Sequence, residues 1–438
     1  MRKFLLASIA LLGATSVAQA QKAVHDTGDS KMAGTSAGGG SVVAATPGPG
    51  QMAVRLNGIV RFYYQASSGG ALGNSTGKVS TAFPSTYIRL YPGFEAQGNN
   101  GLLYGASAEL RTDQPHASLA TPGSQTTPAN SLYARRAYGY VGHASVGTLR
   151  LGMGDSPFSL MATGQMFGLG DSNFCGDTWS VAGPARMGAM PSPFQNCSGN
   201  MYTTNKIVYL TPSFNGFDFG VGFEPNTGTG GMQSGCLVAG SLSGCDNQSS
   251  GAGNDLKRRR NTVDVAARYR GVVNGVGVAV SGGYLASGKV ANVTGAATGY
   301  ENLSVGWGGV TVSYAGFTFE GAIEGGKEDR MGLLVTGAPN QLTWQLGTSY
   351  TTGPVQIGVS YVEASRAGAW NGTTITGKRK DSGIYSAVNY GIAPGIAAIL
   401  VLATGESTQA GADINAYKSG TQSTAEGQMV TAGVLFRW

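Results

Sequence analysis

Apolar and polar residues alternate with a period of two along most of the chain after Met52. In the stretch VRLNGIVRFYYQ, one face carries Val54, Leu56, Val60, Phe62 and Tyr64. The other face carries Arg55, Asn57, Arg61 and Gln65. Successive side chains of a β-strand point to opposite faces, so the pattern predicts strands with one apolar and one polar face. Similar segments recur as far as the C-terminus, and the fold class is predicted to be all-β.

The spacing of these segments predicts about sixteen strands, and the pattern alone does not distinguish this number from fourteen or eighteen. We place them at about 52–66, 83–97, 101–112, 131–142, 147–153, 202–212, 216–224, 261–270, 276–287, 303–314, 316–326, 340–351, 355–365, 381–391, 395–404 and 427–438. Short turns such as QGNNG and HASVG alternate with long loops, of which 154–201 is the third. This layout and an even strand number are typical of bacterial outer-membrane barrels. We therefore expect a transmembrane antiparallel β-barrel domain over residues 51–438.

Both ends of the chain support export to the outer membrane. Arg2 and Lys3 precede a short apolar run that ends at Ala18-Gln19-Ala20, which predicts a signal peptide over residues 1–20. Residues 21–50 are rich in Gly, Ser, Ala and Pro, and are predicted to form a flexible extension. The last strand, QMVTAGVLFRW, alternates and ends on an aromatic residue, which resembles the assembly signal of outer-membrane barrels.

Composition narrows the functional class. The 72 Gly, 19 Tyr and 15 Phe suit many short strands with aromatic girdles. The formal net charge of +6 is scattered, and together with the export signal it argues against nucleic acid as a partner. His25, His116 and His143 do not cluster, so we infer no metal site and no cofactor. A soluble secreted sandwich or adhesin gives no reason to place every long loop at one end.

Four segments resemble the Gram-negative general porins. AVRLNGIVRFYY is similar to the first strand of that family, and YIRLYPGFEAQGNNGLLYGASAELR to its second hairpin. RRAYGYVGHASVGTLRLGMGDSP resembles the stretch that leads into the third loop of the family, and NKIVYLTPSFNGFDFGVGFEP the stretch that follows it. The resemblance implies a 16-stranded homotrimeric porin whose third loop, here 154–201, folds into the lumen and narrows the pore.

The same resemblance implies where the constriction lies. Phe174-Cys175-Gly176-Asp177 looks like the Phe-Gly-Gly-Asp run in the third loop of enterobacterial members. This chain departs from the family at Cys175, at Asn173 where a Glu is expected, and at Met153 where an Arg is expected. On the acidic side we therefore name Asp171 and Asp177 in the loop, with Asp155 at its root.

Strand parity selects the basic residues that face these carboxylates. Arg89 is the leading candidate, because it lies on the polar face and matches the Arg-Leu position of the family. Arg61 is also predicted to face the lumen, as are Arg55, Arg111, Glu95 and Glu109, of which Arg55 and Arg111 are expected to be solvated wall residues. The neighbours Arg135 and Arg136 straddle both faces, so only one of them should point inward at mid-strand and the other should lie at the rim.

The four cysteines all fall in predicted loops. An even number in an oxidising envelope predicts disulfides, for which three pairings are possible. We favour Cys175–Cys197 and Cys236–Cys245, because each pair closes a local loop. The CxxC spacing of a zinc or redox site is absent from the sequence.

The sequence therefore predicts an outer-membrane porin for passive diffusion of ions and small hydrophilic solutes. A channel specific for sugars or anions is the first alternative, although the polar faces show no clear aromatic track or Lys ladder. A barrel enzyme is the second, and His116 in an external loop is its candidate residue. The basic run Lys257–Arg260 could contact lipopolysaccharide phosphates or form a solvated loop base.

Overall fold

The computed structural model describes fifteen parts of the chain. They are residues 47–69, 73–74, 77–78, 81–112, 132–176, 194, 204–226, 250–251, 259–289, 291–292, 300–328, 334, 336–370, 375–409 and 424–438. The predicted signal peptide and residues 21–46 of the extension lie outside them. Both assignments therefore remain predictions. The final residues of the extension are described, and the Gly50 N–H donates to the Gln97 carbonyl at 2.7 Å.

Sixteen of the described strands close into one antiparallel barrel. They are β1 (Met52–Gly69), β2 (Ala82–Gln97), β3 (Leu103–Thr112), β4 (Leu132–His143), β5 (Gly147–Met153), β6 (Asn205–Leu210), β7 (Phe217–Asn226), β8 (Arg259–Val273), β9 (Val276–Lys289), β10 (Leu303–Tyr314), β11 (Phe317–Lys327), β12 (Gln341–Thr352), β13 (Val355–Trp370), β14 (Ile375–Ala393), β15 (Ile396–Gln409) and β16 (Thr424–Arg437). This confirms the predicted fold class and strand number. Two pairs of two-residue strands, Gly73–Asn74 with Gly77–Lys78 and Ser250–Gly251 with Ala291–Asn292, lie outside the barrel.

Each barrel strand pairs with its neighbours in sequence, and β1 pairs with β16 to close the ring. The closing register runs from Ile59 opposite Arg437 to Gly69 opposite Gly427. The last residue extends this pairing, since Gly58 and Trp438 exchange backbone hydrogen bonds of 3.1 and 3.2 Å. A closed ring leaves no sheet edge, which is the condition for β-structure to cross a bilayer. The C-terminal strand is therefore a structural part of the wall.

The predicted alternation of faces is present in the barrel. On β1, Val54 is 77 % exposed on the outside, whereas Arg61 is 2 % exposed on the inside. Large apolar side chains continue outward around the ring, for example Phe219, Ile323 and Leu346. No helix in the described parts of the chain is long and apolar enough to span a membrane.

The strands of the last third are longer than predicted. β13 continues to Trp370, β14 begins at Ile375, and β15 continues to Gln409. The added segment of β14 reads GKRKD, in which Arg379 is buried on the inside while Lys378 and Lys380 are exposed outside. Both faces are polar there, so the apolar alternation that marks a strand within the bilayer is lost although the pairing continues.

Candidate functional site

The segment Gly154–Gly176 runs inside the barrel. A four-residue helix, α1 (Pro157–Leu160), follows the end of β5, and a short 3₁₀ turn spans Asn173–Cys175. The inward fold of this third loop is thus confirmed for its first half. The residues after Gly176, apart from Phe194, lie outside the described part of the chain until Thr204.

Backbone N–H groups of the loop donate to wall side chains in chain order. Phe158 donates to both carboxylate oxygens of Asp264 on β8 at 3.0 Å, and Thr163 donates to Ser281 on β9 at 3.0 Å. Gly164 donates to Thr311 on β10 at 3.2 Å, and Met166 donates to Glu320 on β11 at 2.8 Å. Gly170 and Asp171 donate to Asn389 and Tyr385 on β14 at 3.1 and 3.0 Å. Buried backbone donors require such partners. The loop therefore follows the inner wall from β8 to β14.

Apolar packing fixes the same path. Phe158 and Met161 pack against Leu285, Val305 and Trp307, and the rings of Phe158 and Trp307 meet edge-on at 5.2 Å. Further along, Met166, Leu169 and Phe174 belong to one buried cluster with inward residues of β13–β15. We call the wall residues of both clusters the loop seat: Leu285, Val305, Trp307, Val362, Ala387 and Val401. The inward face of the wall is therefore apolar at the positions that the loop covers.

Two glycines of the wall make room for the loop. A Cβ at Gly347 on β12 would overlap the sulfur of Met166, and a Cβ at Gly358 on β13 would lie 2.8 Å from a methyl carbon of Leu169. Any larger residue would push the loop away from the wall. Close approach at these two positions therefore lets the seat hold the loop.

The acidic root of the loop binds one of the predicted arginines. Arg136 donates from Nε to Asp155 Oδ2 at 2.6 Å and from Nη2 to Oδ1 at 3.0 Å. This two-point geometry is the strong form of a guanidinium–carboxylate contact. The structure thereby brings together two of the predicted site residues and fixes the place where the loop leaves β5.

Glu109 joins three arginines of the adjacent strands. It accepts from Arg135 Nη2 at 2.5 Å and from Arg136 Nη1, and its Oε1 lies 3.9 Å from Arg89 Nε. Glu109 was predicted only to face the lumen, yet it is the carboxylate around which the basic residues gather. We call Arg61, Arg89, Glu109, Arg135 and Arg136 the charged wall.

The expectation that only one of Arg135 and Arg136 points inward is wrong. Glu109 lies opposite Arg136, but the next residue, Leu110, lies opposite Ala134, so Arg135 is an extra residue in β4. Such a β-bulge re-aims a side chain that simple alternation would place outside. Both guanidinium groups are buried and both reach Glu109.

The tip of the loop meets β1 through an ion pair between Asp171 and Arg61. The guanidinium groups of Arg61 and Arg89 also lie over the ring of Tyr87, at 5.0 and 5.1 Å from its centroid. An aromatic face attracts cations, so Tyr87 helps to hold two like charges side by side. Parity places Tyr87 on the inner face of β2, and sequence reasoning overlooked it.

The charged wall and the two loop carboxylates are closely packed. Arg61, Arg89, Glu109, Arg135, Arg136, Asp155 and Asp171 are each no more than 6 % exposed. Ion pairs that are screened from solvent interact more strongly than exposed ones. The loop and the wall are therefore in direct contact at this level of the barrel.

The other predicted residues are distributed as follows. Glu95 accepts from the Tyr140 hydroxyl at 2.7 Å on the inner face, and Arg55 and Arg111 are half-buried inward residues. Asp177, Cys197, Cys236 and Cys245 lie outside the described residues, whereas Cys175 is disulfide-bonded. The pairing of Cys175 with Cys197 therefore stays a prediction.

Three further inward carboxylates each contact two basic side chains. Asp218 binds Arg268 and Arg270 at 2.6 and 3.2 Å, Glu224 lies 3.1 and 3.5 Å from Lys206 and Arg259, and Asp381 lies 2.6 and 2.8 Å from Arg366 and Arg379. Sequence reasoning did not name these clusters. Each cluster has two basic side chains and one carboxylate, and its formal net charge is therefore positive.

The inner face also carries tyrosines that sequence reasoning did not single out. Tyr63, Tyr87, Tyr138 and Tyr140 are buried on the inside of β1, β2 and β4. Their faces are partly taken up by cations, because Arg150 lies 5.3 Å over Tyr138 and two arginines lie over Tyr87. These rings support the arginines of the wall.

Comparison with known proteins adds independent findings. A model of the family described as Gram-negative porin matches residues 7–410. No curated protein sequence matches the chain. Among solved structures, the anion-selective porin from Comamonas acidovorans is similar at a TM-score of 0.56 and 15 % identity, covering 89 % of this chain and all of that one.

Two more solved structures share the fold. A mutant of the Rh. blastica porin gives a TM-score of 0.51 at 14 % identity and covers 88 % of this chain and 100 % of its own. A loop-deletion mutant of OmpT, an outer membrane protein of Vibrio cholerae, gives 0.51 at 11 % identity and covers 88 % and 99 %. At these identities the likeness concerns the fold.

Proposed function

The chain belongs to the family of Gram-negative porins, and from that premise we propose that the charged wall and the third loop form the constriction of its pore. The protein is an outer-membrane β-barrel that forms a channel for passive diffusion. The observation that carries the proposal is the contact of Asp155 and Asp171, from the loop, with Arg136 and Arg61, from the wall.

Selection at such a constriction is by width and by the electric field across it. Rings of charge at a narrow point choose among ions, and low-dielectric walls concentrate the field. Here the cations are held by β1, β2 and β4, and part of the acidic set is held by the loop. The residues that carry this function are Arg61, Arg89, Arg135 and Arg136 on one side and Asp155, Asp171 and Asp177 on the other.

We propose a preference for small anions. At the constriction four arginines meet the three described carboxylates Glu109, Asp155 and Asp171, and the three other inward clusters each carry two basic groups on one carboxylate. A positive excess lowers the energy of a passing anion. The Comamonas acidovorans porin, which shares the fold, is described as anion-selective.

Planar-bilayer recording tests this function. Purified protein should give stepwise conductance, and its reversal potential under a KCl gradient should show chloride passing more readily than potassium. Asp171→Asn should increase that preference, whereas Asp171→Glu, which keeps the charge, should change it less. Absence of stepwise conductance would refute the channel, and an unchanged reversal potential in Asp171→Asn would remove this loop from the constriction.

A channel specific for sugars is the second candidate, because inward tyrosines could stack on sugar rings. Burial of Tyr63 and Tyr87 and the arginines over Tyr87 favour a supporting role for these rings. Blocking of the current by maltodextrins at micromolar concentration would support the sugar channel, and block only at molar concentration would oppose it.

The family and the fold are those of a channel, and we propose that the protein catalyses no reaction. His143 lies at the end of β4 with its Nδ1 2.7 Å from Ser145 Oγ in a short turn. His116 lies outside the described residues. Esterase and protease assays of the purified protein, with His116→Ala as the comparison, test this; any hydrolysis lost in that variant would overturn the proposal.

We propose a homotrimer, the state typical of the family. Its support is the contrast between outer faces: β3 and β4 carry Ala106, Ala108, Ala137 and Gly139 over a groove of about 720 Å³, while β7 and β11 carry large apolar residues. A recessed surface of small residues allows close approach of another subunit. Three equal closing steps in bilayers and a trimer mass in native mass spectrometry are expected.

We also propose that the basic run Lys257–Arg260 contacts lipopolysaccharide at the external rim. Arg259 of the basic run turns inward to Glu224, 3.5 Å away, so the run contributes fewer outward cations than expected. Lys257 and Arg258 lie outside the described residues.

We also propose a disulfide between Cys175 and Cys197. Non-reducing peptide mapping should recover the Cys175–Cys197 and Cys236–Cys245 peptides; other pairings would contradict the proposal.

A further inference from the structure

The backbone at the tip of the loop is left-handed at three positions, of which Gly170 and Asn173 suit that region and Ser172 does not. Gly170, Ser172 and Asn173 have φ of 59°, 66° and 54°, in the left-handed region. Residues other than glycine adopt this region at a cost, and they keep it when the surrounding structure holds them. The direction of the Asp171 side chain therefore depends on groups outside the loop.

Two uncharged side chains of β14 hold this turn. Asn389 accepts from the Gly170 N–H at 3.1 Å and donates to the Gly168 carbonyl at 2.9 Å. Its amide also donates to Gln356 Oε1 on β13 at 2.8 Å, which fixes the orientation of the amide. The chain on both sides of Leu169 is thus tied to one wall residue.

Tyr385 holds the next peptide. Its hydroxyl accepts from the Asp171 N–H at 3.0 Å, and its ring meets Phe174 edge-on at 5.9 Å. Tyr385 and Asn389 are four residues apart on one face of β14, so their Cα atoms lie about 13 Å apart along the strand, and their side chains converge on the adjacent N–H groups of Asp171 and Gly170. Ser360 on β13 completes the attachment by donating to Asn173 Oδ1 at 2.7 Å.

We infer that Tyr385 and Asn389 are positioning residues for the constriction: they fix the loop tip so that the Asp171 carboxylate meets Arg61. β14 and β1 are separated by two strands, so the tip spans roughly 14 Å of wall between its anchor and its ion pair. This inference rests on the proposed function of Asp171. Since neither side chain is charged, replacing it leaves the formal charge of the lumen unchanged.

The test compares two tyrosines on one strand. Tyr385 is buried inside, whereas Tyr390 is 46 % exposed on the outside, and each loses only a hydroxyl when changed to Phe. Reversal potentials under a KCl gradient are measured for Tyr385→Phe, Asn389→Ala and the control Tyr390→Phe. The first two should move in the direction of Asp171→Asn by at least half its shift, with added current noise, and the control should match the wild type.

The variants must also be combined with Asp171→Asn. If Tyr385 acts through Asp171, Tyr385→Phe should change the reversal potential little further in the Asp171→Asn background. A clear shift for Asp171→Asn with none for Tyr385→Phe or Asn389→Ala would overturn the inference and leave the constriction intact. No shift for Asp171→Asn itself would instead refute the proposed constriction. Should Asn389→Ala fail to assemble, Tyr385→Phe, which is nearly isosteric, decides the matter.

Discussion

The charged wall and the loop seat both lie on inward faces of strands, yet the side chains of the first are charged and those of the second are apolar. The charged wall on β1–β4 gathers Arg89, Arg135 and Arg136 around Glu109 beside Arg61, while the loop seat carries Val362, Ala387 and Val401. An inward face that borders the pathway keeps charge, and one that is covered by the loop can be apolar. The loop thus contacts charged residues on one side of the lumen and apolar residues on the other.

The largest effect should follow from removing the carboxylate of the charged wall. Glu109→Ala leaves Arg135 and Arg136 without their shared acid in a buried setting, which typically costs about 3–5 kcal/mol. We expect a barrel that unfolds at a clearly lower temperature in detergent, followed by circular dichroism. Glu95→Ala is the control, because Glu95 is half-buried and accepts from Tyr140. Equal losses in both variants would show that Glu109 has no special role in stability.

The loop seat should respond to a loss of apolar contact without any change of charge. Leu169→Ala removes a buried side chain, at a typical cost of about 2–5 kcal/mol, and should loosen the loop. We expect higher and noisier conductance in single-channel recordings. Leu346→Ala is the control, since Leu346 is 61 % exposed on the outer face. If both variants conduct alike, the seat does not fix the loop.

A smaller effect should come from the ring beneath the arginines. Tyr87→Leu removes a cation–π contact worth about 0.5–2 kcal/mol from Arg61 and Arg89. The anion preference should fall modestly, as measured by reversal potential. Tyr87→Phe retains the aromatic face and should keep more of the preference than Tyr87→Leu. A result in the reverse order would mean that the hydroxyl, and not the ring, supports the arginines.

The smallest effect should come from salt. The Debye length falls from about 10 Å at 0.1 M to about 3 Å at 1 M, so mobile ions screen the charged wall progressively. The chloride-to-potassium permeability ratio should therefore decline as KCl rises, while the noise attributed to the loop stays constant because the seat is apolar. A ratio that is independent of salt would point to pore width as the selecting property.

Much of the barrel could be predicted from local pattern. The order, phase and number of the strands follow from alternation and turn spacing, and the inward direction of Arg61, Arg89 and Glu109 follows from parity. Prediction failed where a strand departs from that pattern. The bulge at Arg135 adds a residue that strict alternation does not predict. The extension of β14 shows no apolar alternation, because its buried inner face and its exposed outer face are both polar.

The candidate site was predicted in its residues more than in its contacts. Asp155, Asp171 and four arginines were named, but Glu109 as their centre, Tyr87 beneath them and Tyr385 behind the loop were not. These roles depend on which residues of distant strands face one another. Nothing in the sequence near Asp171 indicates that its N–H meets a tyrosine 214 positions later.

By itself, the sequence determined that this chain closes into a barrel of about sixteen strands with an apolar outside, because period-two alternation and turn spacing are local properties that match a bilayer; the closed pairing fixed the exact number. The tertiary structure alone decided which inward residues bind the carboxylates of the loop and which pack against its apolar side chains. Both kinds occupy the same parity, and only the path of the loop separates them. The position of the third loop is therefore fixed less by its own residues than by the wall residues that it contacts.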